Sequence, residues 1–184
     1  MDMSDEDRLV PNLDGTRRGG LISAIELSRG TPAVRPALHM LERWESWTGE
    51  GLPLRAHFPP ESFGTLMGRI SLLDPVDDCA DFIYRIYAVI AANKGGTDLT
   101  GTRIGDMPYR DYAAALIQQS RQCLTSGKPT IHENRFIWRN RTYGICCLRL
   151  PIRDKPGGHD MLMVIDLHAN PDKRPDTADY IPNL

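Results

Sequence analysis

The chain has 184 residues, 41% hydrophobic and 25% charged, with a formal net charge of -2. That is enough to bury one globular core, and it excludes the global basic field that would hold nucleic acid. The opening MDMSDEDR is acidic where an export signal is basic, and no run approaches the roughly 18 apolar residues of a spanning helix, so a cytoplasmic protein off the membrane is expected.

Residues 1–32 mix Gly, Pro, Asp and Arg without sustained periodicity. A flexible segment is expected there, with at most one helical turn near LISAIEL. The folded domain is expected over 33–168, opening with a helix at 34–49. In that helix Ala37, Met40, Leu41, Trp44 and Trp47 recur at spacings of three and four and form one apolar stripe. Pro36 suits its first turn and Gly49 its end. A loop and a short helix follow, the latter entered through Pro59-Pro60 with Glu61 and Ser62 in its first turn.

Strands are expected at 68–74 and 81–88, separated by the turn-forming DPVDD. VIAANKG reads as one or two helical turns, and Gly95-Gly96 as a hinge. Residues 109–127 carry the clearest helical pattern, with Tyr112, Leu116, Gln119, Cys123 and Leu124 on one stripe and Gly127 as the stop. Three hairpin-linked strands close the domain at 130–139, 142–153 and 160–168, and residues 169–184 are expected to form an extended tail. On 142–153, Gly144, Cys146, Leu148, Leu150 and Ile152 share one face, and Tyr143, Ile145, Cys147 and Arg149 the other. On 160–168, Met161, Met163, Ile165 and Leu167 oppose Leu162 and Val164. A sheet with one wet face alternates cleanly, and this one does not, so both faces should be covered. The fold class is α+β, an antiparallel sheet with segregated helices.

The chain carries few residue patterns that point to chemistry. Cys79, Cys123, Cys146 and Cys147 show no CxxC spacing, and adjacent Cys146 and Cys147 point to opposite strand faces, so they read as apolar fillers in a reducing compartment. His132-Glu133 lacks the second histidine of the helical zinc motif, because position 136 is Phe. No nucleophile elbow and no P-loop occur. Asp74, Asp77 and Asp78 read as a solvated turn beside Pro75 rather than a calcium site. His132 reads as a half-exposed strand histidine rather than a haem ligand, and His168 as exposed. No metal ligand and no resident cofactor are expected.

The order of elements, with Trp44, LPLRAHFPPESF, ISLLD, FIYRI and DLTG followed by a helix, resembles the PAS domain family. Within it, the chain is most similar to single-domain PAS proteins of alphaproteobacteria, over about residues 38–168. The resemblance implies a five-stranded antiparallel sheet in spatial order 2-1-5-4-3, helices on one face and an N-terminal flanking helix. It also implies a bacterial sensory or regulatory module in signal transduction, working through a small-molecule ligand, a signalling protein partner, or both. Ala88-Val89 and Gly95 stand where that group tends to have Gly-Thr and an aromatic, so no particular ligand carries over. The expected pocket walls are Tyr84, Ile86, Ile90, Asn93, Leu116, Cys146, Leu148 and Met163, with Asn93 supplying polar reach. The Met40, Leu41, Trp44 and Trp47 stripe, with Ile145, is expected to pack on the outer face of the sheet or on the same helix of a second chain and so form a homodimer, the alternative being a helix that only caps its own domain. The alternative is a pure dimerisation or interaction module whose pocket its own side chains fill. A cone-shaped α+β enzyme would need acid–base groups on inward strand positions, and the inward candidates read as Cys, Leu and Met.

Overall fold

The computed structural model describes residues 19–95, 98–107, 109–138 and 141–168. Six strands form one antiparallel sheet: β1 (Gly19–Glu26), β2 (Ile70–Val76), β3 (Asp81–Ile86), β4 (Thr130–Trp138), β5 (Arg141–Arg153) and β6 (Asp160–His168). Their spatial order is β1-β4-β5-β6-β2-β3. The five strands expected from the sequence therefore lie in the expected order, and β2 pairs with β6 through Ile70–Ile165 and Leu72–Met163.

The sixth strand corrects the reading of the N-terminal segment. Residues 19–26 pair with β4 from Gly19–Trp138 to Glu26–His132, so the domain starts well before residue 33. LISAIEL alternates too weakly to announce a strand by itself. The edge of β4 supplies its hydrogen bonds, and a register shift between Leu21 and Ser23 breaks what alternation there is. Residues 1–18 and 169–184 lie outside the described residues.

Among the described residues three α-helices accompany the sheet: α1 (Leu38–Glu45), α2 (Val89–Gly95) and α3 (Arg110–Ser126). The helix expected at 34–49 is shorter than that. A 3-10 segment, Pro32–Ala37, precedes α1, and Pro36 lies inside it. Proline lacks the donor that an α-helix interior needs. The short helix expected after Pro59-Pro60 is a run of 3-10 turns, Arg55–His57, Pro60–Ser62 and Gly64–Leu66. Pro75 falls within β2 rather than in the turn, which sits one step later at Asp77, Asp78 and Cys79, all with positive φ. α3 follows the sequence closely. Ala113, Leu116, Ser120 and Cys123 form its buried stripe, and Gly127 at φ 63 closes it with its N–H on the Leu124 carbonyl.

The two sheet faces have different cores. On the first, Leu148, Leu150, Ile152, Met161, Met163 and Ile165 pack against Ala33, Val34, Ala37, Met40 and Leu41. On the second, Ile145, Cys147, Leu162 and Val164 pack against Ala113, Leu116 and Cys123 of α3. Cys146 and Cys147 thus face opposite ways, and all four cysteines are free. Met40 and Leu41 are buried on their own sheet, each such burial worth about 1.5–3 kcal/mol. Trp44 donates from Nε1 to the Pro151 carbonyl at 2.7 Å. Ile145 does not join this stripe, because its β5 parity turns it beneath α3. No helix among the described residues is long and apolar enough to cross a membrane.

Candidate ligand cleft and buried polar layer

An open cleft of about 830 Å³ lies at the β2–β3 end of the first sheet face. Its floor is Ile70, Leu72 and Met163, on neighbouring strands β2 and β6. One wall is the run of 3-10 turns, which brings Phe58, Phe63 and Met67 over the sheet. Pro59 and Pro60 stiffen that wall. The parallel bridge Leu54–Arg153 and the bond from the Arg153 N–H to the Pro53 carbonyl at 2.8 Å anchor it to the end of β5. The far wall is Ile86, Tyr87 and Val89, where β3 runs out into α2.

Gly68 makes that junction possible. Its φ is +85, and a Cβ there would lie 2.9 Å from Val89 Cγ1, so only glycine lets the backbone approach α2 this closely. The Ile90 N–H donates to the Gly68 carbonyl at 3.0 Å. Met67, Ile86 and Val89 are about half exposed at the rim, a cluster of large apolar side chains left facing solvent.

At one end of the cleft the lining turns polar through Arg55 and Asp154. Asp154 belongs to an ion network. Arg85 donates from Nη1 to Asp154 Oδ1 and from Nε to Asp74 Oδ2, both at 2.8 Å. His159 Nε2 lies 2.9 Å from Asp74 Oδ1. Partial desolvation pulls the Asp154 carboxyl up, but the Arg85 hydrogen bond and the charges of Arg85 and Arg55 hold it below the usual range. Asp77 and Asp78 are exposed, as expected of a solvated turn, with Asp77 also paired to Arg103, whereas Asp74 is part-buried and ion-paired with Arg85. Among the described residues, no group of three His, Cys, Asp or Glu side chains is placed to hold a metal ion.

The expected pocket walls divide three ways. Ile86 and Met163 line the cleft. Tyr84 and Leu116, the latter on α3 itself, belong to the core between α3 and the sheet, while Cys146 and Leu148 belong to the core of the opposite face, so no one cavity holds all of them. Ile90 packs over Gly68, and Asn93 lies outside the described side chains. The walls expected from strand parity belong to both sheet faces, and the sheet itself separates them. The floor residue Leu72 pairs across the β2–β3 register shift with Ile86, which moves Ile86 to the cleft side while Tyr84 stays on the α3 side.

Comparison with known proteins gives no matching family model, no matching curated protein and no matching solved structure.

Beneath α3 the structure holds a polar layer that sequence reasoning missed. Thr130, His132 and Asn134 of β4 pair with Arg149, Cys147 and Ile145 of β5, on the face α3 covers. Polar residues at every second position read as a wet strand face, and only the placement of α3 shows that they are buried. Gln119 of α3 and Asn134 exchange hydrogen bonds at 2.7 and 3.1 Å. Cys147 Sγ donates to Asp166 Oδ1 at 3.3 Å. Arg149 is only 1% exposed, and its Nε and Nη1 have no hydrogen-bond partner. His132 Nδ1 and Ser120 Oγ are likewise buried and unpartnered.

Burial pushes the His132 imidazole down to about 4, with the Arg149 charge adding to it, and His132 is buried rather than half-exposed. Desolvation pushes the Asp166 carboxyl up to about 6. The thiols are pushed up by burial, Cys123 to about 11 and Cys146 to about 12, so neither is a ready nucleophile at neutral pH. The inward strand positions therefore do include His, Arg and Asp, contrary to the sequence reading. The unpartnered atoms of this layer are closed to solvent, so a substrate could not reach them with α3 in place.

Proposed function

We propose that the protein is a PAS-type sensory or regulatory module of the bacterial cytoplasm that acts by binding, with no output domain among the described residues. The observation that carries this reading is the cleft. Its volume of about 830 Å³ falls in the range of small-molecule sites, and its lining has the usual chemistry of such sites, mostly apolar with a few converging polar groups. The element order and the quoted motifs add the resemblance to single-domain PAS proteins, whose role is signal transduction. A ligand in the cleft touches the 3-10 wall, the sheet and the start of α2 at once, so its binding would bias the packing of these elements against each other.

The second reading, a module that only binds protein, is favoured by the α3 face. There Tyr84, Leu116, Ile145 and Leu162 fill the space between helix and sheet. Native mass spectrometry of freshly purified protein separates the two. A bound small molecule, or one retained on addition, supports the first. A ligand-free chain that stays so across a metabolite extract, but forms a defined oligomer, supports the second.

A further inference from the structure

We infer that the cleft is built for an amphipathic monocarboxylic acid, with its carboxylate held by Arg55 and its apolar body laid between Phe58, Phe63 and Met163. This rests on the cleft being a ligand site.

The charged groups at the polar end differ in unused bonding capacity. Two charged side chains line the cleft, Arg55 and Asp154. Asp154 is engaged. It accepts from Arg85 at 2.8 Å, lies 3.6 Å from Arg55 Nε, and keeps only 18% of its side-chain surface exposed. Arg85 is engaged as well, donating to Asp74 and Asp154 and lying 3.0 Å from His159 Nε2. Asp74 in turn is taken up by Arg85 and His159. Arg55 is the member left over. Its side chain is 47% exposed, and its one polar contact among the described residues is the 3.6 Å approach to Asp154, too long for a good hydrogen bond.

A guanidinium presents five donors in a planar fork, which matches a carboxylate through two parallel N–H···O bonds. An ammonium ligand would meet the opposite situation. The carboxylate it needs is already satisfied, and the Arg55 and Arg85 guanidiniums flank it. A neutral polar head would gain one ordinary hydrogen bond and lose the charge assistance. The rest of the lining limits the ligand's body. The floor and walls offer Ile70, Leu72, Phe58, Phe63 and Met163, which reward apolar and aromatic surface and leave buried hydroxyls without partners. The half-exposed Met67, Ile86 and Val89 at the rim would be covered by the same body, and methionine adapts to several shapes.

The test uses isothermal titration of the full chain with three ligands that share one body, phenylbutyrate, phenylbutanamide and phenylbutylamine, and with decanoate and decanol as a longer pair. The expected result is acid binding roughly 10- to 100-fold tighter than the matched amide or alcohol, as one charge-assisted contact implies, and the amine weakest. In Arg55→Gln that gap should close while the amide's affinity stays within about twofold. In Ile70→Trp, which fills the floor, both acids should lose binding. Acid and amide binding equally well to the native chain would overturn the carboxylate assignment and leave the cleft reading standing. A gap that survives Arg55→Gln would overturn the role of Arg55. Acid binding untouched by Ile70→Trp, or no binding by any of the five compounds, would overturn the cleft as the site and the inference with it.

Discussion

Replacing Arg149 by Met should stabilise the protein, although it removes a large, fully buried side chain. Arg149 is 1% exposed, and two of its three guanidinium nitrogens, Nε and Nη1, are unpartnered. Each buried donor left without an acceptor costs about 1–3 kcal/mol. Replacing buried ionic groups by apolar side chains of similar volume is often neutral or stabilising, by about 1–4 kcal/mol. Met has a similar unbranched stem and can fill an irregular space beside Val164 and Cys123. The backbone contact from Cys123 Sγ to the Arg149 carbonyl at 3.6 Å is untouched by the change. We expect a gain of about 1–4 kcal/mol, or roughly 2–16 °C in Tm for a domain of this size. Urea unfolding at equilibrium measures it, with the m-value unchanged if the native state stays as compact. Arg149→Ala separates the charge from the volume, because the same relief is then offset by a cavity. A loss of more than about 1 kcal/mol in Arg149→Met would refute the reasoning and show that the guanidinium has strong partners in solution.

The reciprocal Gln119–Asn134 pair predicts strong coupling: Gln119→Leu or Asn134→Leu alone should cost about 2–3 kcal/mol by orphaning the other amide, whereas the double change should cost under about 1 kcal/mol in a double-mutant cycle. Two groups of the polar layer oppose each other in acid. His132, lowered from 6.5 to about 4, refuses a proton that the unfolded chain accepts, so its contribution to stability falls as pH drops through that window. Asp166, raised from 3.8 to about 6, keeps a proton that the unfolded chain releases, so its contribution falls as pH rises from about 4 to about 6. Urea midpoints between pH 4 and 6 should therefore vary little from these groups in the native chain, improve with acid by roughly 2–3 kcal/mol in His132→Leu, and worsen with acid by a similar amount in Asp166→Asn. Trp44→Phe should cost about 1 kcal/mol through loss of the 2.7 Å bond to the Pro151 carbonyl. Since Met40 and Leu41 are spent on their own sheet, the Trp44→Ala/Trp47→Ala variant should lose stability while its light-scattering mass equals that of the native chain.

The local part of the fold is legible in the chain itself. Stripes at spacings of three and four marked α3, the positive-φ glycine marked its end, and dense apolar strands announced β2 to β6, because these signals are carried by residues close together in the chain. The motif order also supplied the sheet order of those five strands. The tertiary structure decided which face each strand residue serves. β1 exists because β4 offers an edge to pair with, and nothing within residues 19–26 records that edge. The register shift between Leu72 and Leu73 sends Ile86 to the cleft and Tyr84 to the opposite core, a change of side that alternation alone cannot show. The cleft needs the 3-10 run laid over the sheet and Gly68 pressed against Val89, contacts made by residues far apart in the sequence. The polar layer was hidden for the same reason. Thr130, His132, Asn134 and Arg149 carry the pattern of a solvated strand face, and burial under α3 is a property of where the helix packs, not of the strand that it covers.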